Sequence, residues 1–208
     1  MKVLNTSEIK WIFFDLVSTL IDETEAYARR VRETVSGTDV STAQFAAIMR
    51  RSFSQGSDGY GEALAFFHLQ KTPWHSEDER LYPDCAAVLE ALNARGYRLG
   101  VIANQILGTA ERLKDHGILQ FFDMIAASAE LDAAKPDPAI FLWALQTAGC
   151  RPENAVMIGD RIDNDILPAQ SLGMKTVRVL SGPSAAYHPQ IEPADRTVSR
   201  LADLLYIF

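Results

Sequence analysis

The sequence predicts an α/β fold: a doubly wound, Rossmann-like parallel sheet with a small α-helical domain inserted after the first strand. Short apolar segments alternate with helical segments along most of the chain, which is the pattern of successive strand and helix units. The strand candidates are apolar almost throughout, as expected of parallel strands that helices cover on both faces. The core is predicted to comprise residues 1–20 and 82–208, and the inserted domain residues 21–81.

Five segments have the length and composition of buried strands. Polar residues or a turn that contains glycine bound each of them, which is typical of strands that end at the edge of a sheet. The predicted strands are 9–16, 98–103, 122–127, 155–158 and 176–180.

Four helices are predicted between these strands, at 83–95, 109–116, 137–148 and 164–172. A glycine directly follows each of them: Gly96, Gly117, Gly149 and Gly173. Glycine is a common helix stop because it adopts the left-handed backbone conformation without a Cβ clash. The alternation makes these helices the crossover connections that parallel strands require.

The insert is predicted to be helical. The runs ETEAYARRVRETV, STAQFAAIMRRSF and YGEALAFFHLQ favour helices, and no segment between them has the pattern of a strand. Its aromatic side chains recur at helical spacing, which is typical of a small helical core.

The composition favours a soluble globular protein and argues against two classes of partner. Hydrophobic residues make up 48% of the 208 residues, enough to form a full core. The net charge of −7 disfavours nucleic-acid binding, which relies on clustered lysine and arginine. No apolar run approaches the roughly 20 residues of a membrane-spanning helix, and no apolar leader is present. We therefore expect a cytoplasmic protein without nucleic-acid or membrane partners; its oligomeric state is open.

Acidic, amide and basic side chains occur at or after the ends of four predicted strands. In chain order they are Asp15, Asn104, Lys135 and Asp160, with Asp163 and Asp165 close behind the last. In open parallel sheets, ligands bind at the carboxyl ends of the strands. The sequence therefore predicts one crevice that contains these carboxylates, the amide and the lysine, with Asp163 capping the following helix rather than joining the site.

A divalent metal ion is expected in that crevice. Carboxylates brought together raise one another's pKa unless a cation relieves the repulsion. Mg²⁺ suits such a set because it binds one or two carboxylates, keeps several waters and leaves room for phosphate oxygens. An aspartate beside the metal and a lysine can attack phosphorus as a nucleophile, and Asp15 is the best candidate.

Four ordered motifs, FFDLVSTL, VIANQ, KPDPAIF and MIGDRIDNDILPAQSLGM, carry a family resemblance. The chain resembles the haloacid dehalogenase (HAD) superfamily of hydrolases, in particular members with a helical C1-type cap inserted after the first motif. The resemblance involves the whole chain. It implies a Mg²⁺-dependent phosphatase that acts on a small phosphorylated metabolite through an aspartyl phosphate at Asp15.

The resemblance also implies roles for individual residues. Asp15 is the nucleophile, and Lys135 balances the charge on the nucleophile and the phosphate. The implied metal ligands are Asp15, the backbone carbonyl of Val17, Asp160 and Asp165. The implied phosphate-binding residues are Thr19, Ala103, Asn104 and Lys135.

Two motifs differ from those of the family's phosphatases. The first motif there reads Asp-x-Asp-Gly-Thr, and Val17 and Ser18 replace its second aspartate and its glycine. That aspartate transfers a proton to the leaving oxygen and later activates water, and general acid–base catalysis of this kind contributes about 100- to 10,000-fold. In the second motif Ala103 replaces the usual hydroxyl, so backbone N–H groups or the Asn104 amide are expected to hold the oxyanion.

Three functions remain open on the sequence. The first is a phosphatase whose missing acid comes from water or a cap residue, or is unnecessary because acyl and activated aryl phosphates leave readily. The second is a catalytically weak or inactive phosphate- and metal-binding regulatory protein, which Val17 favours. The third is a haloacid dehalogenase, because departing halide needs no proton; the apparent metal-binding acids Asp160 and Asp165 argue against it.

Overall fold

A parallel six-stranded sheet forms the centre of the protein in the computed structural model, which describes residues 5–55, 57–186, 189–190 and 192–208. The strands in chain order are β1 (Trp11–Phe14), β2 (Ile21–Asp22), β3 (Arg80–Leu81), β4 (Arg98–Ala103), β5 (Met124–Ala127), β6 (Ala155–Gly159), β7 (Lys175–Val179) and β8 (Arg196–Val198). The large sheet has the order β5-β4-β1-β6-β7-β8, and every neighbouring pair in it is parallel. The predicted doubly wound α/β class is confirmed.

Helices connect these strands and cover the sheet. They are α1 (Thr24–Val35), α2 (Thr42–Phe53), α3 (Gly59–Phe67), α4 (Cys85–Ala94), α5 (Thr109–Asp115), α6 (Ser128–Leu131), α7 (Pro138–Thr147) and α8 (Leu167–Ser171). The four glycines predicted to follow core helices all have positive φ angles, so their conformation suits a helix stop. Among the described residues, no helix is long and apolar enough to cross a membrane.

The two faces of β1 supply two separate apolar cores. Ile12 and Phe14 pack on one face with residues of β4, β6 and α4, whereas Trp11 and Phe13 pack on the other with residues of α7. Successive side chains of a strand point to opposite faces, and here both faces are covered. This explains why the first predicted strand is apolar at every position.

The segment between β1 and α4 contains three helices with a small core of their own. Phe45 is completely buried, and Val31, Met49, Tyr60 and Ala63 pack around it. Helix α2 begins with a capping box, in which Ser41 and Gln44 each accept the other's backbone N–H, an arrangement that satisfies two otherwise unpaired donors. The helical character predicted for residues 21–81 therefore holds for most of their length.

Four short elements differ from the prediction. The two-residue strands β2 and β3 pair antiparallel at the two ends of the insert, where no strand was expected, because two residues are too few to show a period. Strand β8 extends the large sheet although its sequence, Arg-Thr-Val, is not an apolar run. The last predicted helix begins with a π-helical turn, Ile162–Ile166, before α8.

Replacement of Phe45 by alanine is expected to lower the free energy of unfolding by about 3–5 kcal/mol, because it leaves a cavity in the core of the insert. The matched control is Phe66→Ala in the same insert, where the side chain is 62% exposed. That variant should cost about 1 kcal/mol or less. Urea unfolding of the two variants measures the difference, and equal losses would contradict the described packing.

Candidate active site

The site lies beside β1, where the strand order of the sheet reverses. β1 is flanked by β4 on one side and by β6 on the other, and Phe14 is in register with Val101 and Ile158. The backbone N–H of Asp15 still donates to the Ile158 carbonyl at 2.8 Å. The carboxyl ends of the three strands are therefore adjacent, which is the position where open α/β sheets bind ligands.

Three carboxylates and one ammonium group meet at this edge. Asp15, Asp160 and Asp165 each offer an oxygen within 4.8 Å of the others. The Nζ of Lys135 lies 2.7 Å from Asp15 Oδ1 and 2.5 Å from Asp165 Oδ1. Lys135, Asp160 and Asp165 are each at least 95% buried, so these are charge-assisted contacts with little screening by water.

Burial and mutual repulsion shift the pKa values of these groups. Burial raises the pKa of Asp160 well above its usual value, and the charges of Asp165 and Asp15 raise it further. Burial also raises the pKa of Asp165 to about 6, against the opposing effect of Lys135. Burial disfavours the ammonium of Lys135, yet Asp15 and Asp165 outweigh it and raise its pKa. One lysine thus leaves the three carboxylates with excess negative charge, which a further cation would relieve.

Asp165 reaches the cluster through the π-helical turn. Its backbone N–H donates to the Arg161 carbonyl at 2.9 Å, and its Oδ2 accepts the Arg161 backbone N–H at 3.0 Å. A Cβ on Gly159 would lie 2.3 Å from Asp165 Oδ2. Only glycine at the end of β6 leaves room for this carboxylate, a requirement that the sequence analysis missed.

Two further residues position the reactive groups. The Asn104 amide accepts the Lys135 backbone N–H at 2.7 Å and donates to the Lys135 carbonyl at 2.8 Å. Asn104 thereby fixes the loop that carries the lysine. Arg178 on β7 is almost completely buried and donates to the backbone carbonyl of Asp160 at 3.1 Å. Sequence reasoning missed Arg178, because an arginine in an apolar strand gives no sign of the carbonyl it binds.

The remaining predicted residues occupy the turn after β1 and the end of β4. Thr19 and Ala103 are completely buried, and neither lines the crevice around Asp15. The Thr19 hydroxyl is a buried polar atom without a hydrogen-bond partner in the described part of the chain. Their assignment to phosphate binding stays a prediction, as does the metal contact assigned to the Val17 carbonyl.

The turn after β1 has the backbone shape of a glycine at Ser18. Its φ angle is +59°, in the left-handed region that non-glycine residues enter at a cost of roughly 1–2 kcal/mol. The Ser18 N–H donates to the Ile21 carbonyl at 2.8 Å, and the Ser181 hydroxyl donates to the Ser18 carbonyl. These two hydrogen bonds stabilise the turn, and the turn sets the orientation of the backbone that carries Asp15 and Val17.

A second cluster of charged groups, missed by the sequence analysis, joins the insert to the core. Arg112 on α5 contacts Glu79 through Nη2 at 2.6 Å and Nε at 2.9 Å, and it lies 3.5 Å from Glu23. Glu79 also accepts the Trp74 indole N–H at 2.6 Å. Glu23 precedes α1 and Glu79 precedes β3, so Arg112 binds both ends of the insert.

Both clusters face one crevice of about 600 Å³, a size typical of small-molecule sites. Its lining includes Asp15, Val17, Lys135, Asp160 and Asp165 from the core, together with Glu23, Tyr27, Phe53, Trp74 and Arg112. Tyr27, Phe53 and Glu23 also line an adjoining, more apolar cavity of about 900 Å³ between the insert and the core. The site thus has a charged floor and an aromatic side.

The donor set suits a hard divalent cation. It offers three carboxylates within reach of one another, and oxygen donors of this kind are the ligands that Mg²⁺ takes in proteins. The described residues contain no other group of three acidic, histidine or cysteine side chains of this kind. The two cysteines, Cys85 and Cys150, are free and lie outside the crevice lining.

The contact between Gly159 and Asp165 predicts a specific non-additivity. Gly159→Ala should lower the free energy of unfolding by about 1–3 kcal/mol, because its new Cβ collides with the buried carboxylate. In an Asp165→Ala background the same change should cost less, with a coupling of about 0.5–3 kcal/mol between the two positions. Denaturant unfolding of the two single variants and the double variant measures this coupling. Strictly additive losses would contradict the contact.

Comparisons with known proteins agree with the geometry. The sequence profile of the family described as haloacid dehalogenase-like hydrolase matches residues 12–179. Over 221 aligned positions the chain is 30% identical to the glyceraldehyde 3-phosphate phosphatase of Methanothermobacter thermautotrophicus, with 94% of this chain and 96% of that protein covered.

Solved structures share the fold. A HAD phosphatase from Thermococcus onnurineus superposes with a TM-score of 0.68 at 24% identity, covering 96% of this chain and 97% of its own. A dehalogenase superposes with a TM-score of 0.72 at 21% identity, covering 98% and 99%. At these identities the likeness establishes the fold alone and does not separate the two activities. The profile match and the full-length relative, however, show that this chain belongs to the haloacid dehalogenase-like hydrolase family.

Proposed function

We propose that this protein is a Mg²⁺-dependent phosphatase that hydrolyses a small phosphorylated metabolite through an aspartyl phosphate at Asp15. The observation that carries the proposal is the position of Lys135, whose ammonium contacts both Asp15 and Asp165 at the switch point of the sheet. A buried carboxylate held by a cation beside two further acids suits attack on an anionic phosphate, which needs both a nucleophile and charge neutralisation. Relatives named as phosphatases support the same class.

In the proposed reaction an oxygen of Asp15 attacks phosphorus and forms the Asp15–phosphate bond while the bond from phosphorus to the leaving oxygen breaks. Lys135 stays protonated, because its pKa is raised, and it stabilises the negative charge shared by Asp15 and the phosphoryl oxygens. Water then attacks phosphorus, releases phosphate and restores the Asp15 carboxylate. The turn at Ser18 and the backbone contact to Ile158 hold Asp15 in place for both steps.

Mg²⁺ is proposed to bind at Asp15, Asp160, Asp165 and the Val17 carbonyl. When bound there it would neutralise phosphoryl oxygens and the excess charge of the three carboxylates. The excess charge is itself the support from this structure, because burial and repulsion raise the pKa of both Asp160 and Asp165. Arg178 assists by fixing the backbone at Asp160.

Phosphate binding is proposed for Lys135, Thr19 and the end of β4 at Ala103 and Asn104. The Asn104 amide is occupied by the Lys135 backbone, so its proposed contribution is to position the lysine, with backbone N–H groups nearby left to meet the oxyanion.

Residues 21–81 are proposed to act as a C1-type cap that covers the crevice and selects the substrate. The cavity between α1, α2 and the core is large and lined by Tyr27, Val31, Met49 and Phe53, which favours an organic phosphate with an apolar body over inorganic substrates. Closure of a cap excludes water from the reaction.

The absence of an acid at Val17 keeps one second candidate open, a phosphate- and metal-binding regulatory protein with little turnover. Dehalogenation is the less favoured reading, since the cluster of Asp15, Asp160 and Asp165 provides the metal-binding acids that halide release does not require.

Asp15→Asn is expected to abolish phosphate release from acyl, aryl and sugar phosphates, because an amide cannot serve as the attacking carboxylate. Release by the unchanged protein should require Mg²⁺ and should favour good leaving groups. The matched control is Asp163→Asn, an exposed aspartate paired with Arg161, which should retain activity. A lack of phosphate release across the panel, with Mg²⁺ binding intact, would favour the regulatory protein. Release of halide from 2-haloacids would favour the dehalogenase.

Metal binding has a readout that does not need turnover. A ligand that binds only the folded state stabilises it by about 2.7 kcal/mol at 100 times its Kd, so Mg²⁺ should raise the Tm in a concentration-dependent way. Asp160→Asn should remove most of that increase, whereas Asp163→Asn should preserve it. A Tm that does not respond to Mg²⁺ would contradict the proposed metal site.

A further inference from the structure

The crevice lacks a proton donor at the position where its chemistry requires one. Val17 follows the nucleophile at two residues' distance and carries no transferable proton. Alkoxide leaving groups are poor unless they are protonated as they depart, so efficient hydrolysis of alkyl phosphates with valine here calls for a proton donor from elsewhere in the same crevice.

Glu23 supplies a carboxyl in this crevice. It lines the same cavity as Asp15, Val17 and Lys135, and it is 7% exposed. It stands at the N-cap of α1, yet its side chain accepts no capping hydrogen bond from the helix. The Glu23 carboxyl is therefore not engaged by the backbone of α1, and the side chain that it contacts is Arg112.

The surroundings of Glu23 favour a proton on its carboxyl. Its ion-pair partner, Arg112, lies 3.5 Å away and makes its short contacts with Glu79 at 2.6 and 2.9 Å and with Gln105. A buried carboxyl whose cation is shared with a second carboxylate is less readily ionised than one with a cation of its own. Burial raises the pKa of Glu23 to about 8, assisted by the charges of Glu79 and Asp15 and opposed by Arg112.

We propose that Glu23 is the catalytic general acid and base of this site, in place of the aspartate that Val17 has replaced. The inference rests on the proposed phosphatase activity and names the residue that completes it. It also assigns a chemical role to the end of the insert, because Glu23 lies between β2 and α1.

The proton balance of the two steps is simple. As Asp15 attacks phosphorus and the ester bond breaks, the Glu23 carboxyl gives its proton to the departing oxygen, which leaves as an alcohol. In the second step water attacks the phosphorus of the aspartyl phosphate and gives its proton to the Glu23 carboxylate. Phosphate leaves, and Asp15 and Glu23 return to their starting states.

The groups that face Glu23 define how its proton depends on pH. They are Asp15 after β1, Arg112 on α5, Glu79 before β3 and Tyr27 on α1. A carboxyl with a raised pKa is protonated below that value and loses its proton above it. The rate with poor leaving groups should therefore fall as the pH rises through about 8.

The test measures kcat/KM for phosphate esters whose leaving groups range from an alkyl alcohol to 4-nitrophenol, with Mg²⁺ present. Glu23→Gln keeps the size of the side chain but cannot transfer a proton. We expect it to lose about 100-fold or more with alkyl esters, and to stay within about tenfold with 4-nitrophenyl phosphate, whose leaving anion needs no proton. The fall in the alkyl-ester rate near pH 8 should disappear.

Two further variants separate proton transfer from structural support. Glu79→Gln removes a charge that raises the pKa of Glu23 and leaves Arg112 with one ionised carboxylate fewer. The alkyl-ester rate of this variant should therefore fall at a lower pH than that of the unchanged protein, while hydrolysis of 4-nitrophenyl phosphate should not show this shift. Val17→Asp, added to Glu23→Gln, should restore alkyl-ester hydrolysis because it returns a carboxyl to the crevice.

A loss in Glu23→Gln that is equal for all leaving groups, or no loss with alkyl esters, would overturn the role of Glu23 while leaving the Asp15-dependent phosphatase intact. If the unchanged protein releases no phosphate from any ester in an Asp15-dependent way, the proposed function itself fails, and the role of Glu23 fails with it.

Discussion

The ammonium of Lys135, buried between Asp15 and Asp165, is the interaction on which the rest of the site depends. Three strand ends must meet for it to form: Asp15 follows β1, the loop of Lys135 is fixed by Asn104 after β4, and Asp165 returns over Gly159 at the end of β6. A buried lysine without these partners would be costly, because desolvation disfavours its charge. The order of strands around β1 therefore brings together the carboxylates that keep Lys135 charged, and Lys135 in turn stabilises the Asp15 carboxylate.

The site contains groups that attack and neutralise phosphate, but its first motif lacks a group that protonates the leaving oxygen. That imbalance makes the leaving group the main determinant of rate for a site of this composition. Glu23 changes the balance, because it reaches the crevice from the end of the insert and shares Arg112 with Glu79. Proton transfer and substrate enclosure would then depend on the same segment. The insert would determine both which substrate binds and how readily its phosphate ester bond is cleaved.

The sequence was sufficient for the fold class and for the residues brought together at the floor of the site, because strand ends and glycine helix stops are local signals. It was not sufficient for β8 or for the two-residue strands, whose pairing comes from tertiary contacts rather than from a pattern. Arg178 and Glu23 were missed for a related reason. Each is a single charged residue whose contacts lie elsewhere in the chain, at the Asp160 carbonyl for Arg178 and at Arg112 for Glu23, and a single sequence does not show such contacts.

Trapping the covalent intermediate tests the proposed mechanism at its central step. The protein would be mixed with an acyl phosphate and Mg²⁺, quenched in acid within one turnover, digested and analysed by mass spectrometry. The proposed mechanism predicts a phosphoryl group on Asp15, absent without Mg²⁺ and absent in Asp15→Asn. Phosphate release with no phosphorylated Asp15 peptide at any time, or a phosphoryl group on another residue, would contradict it.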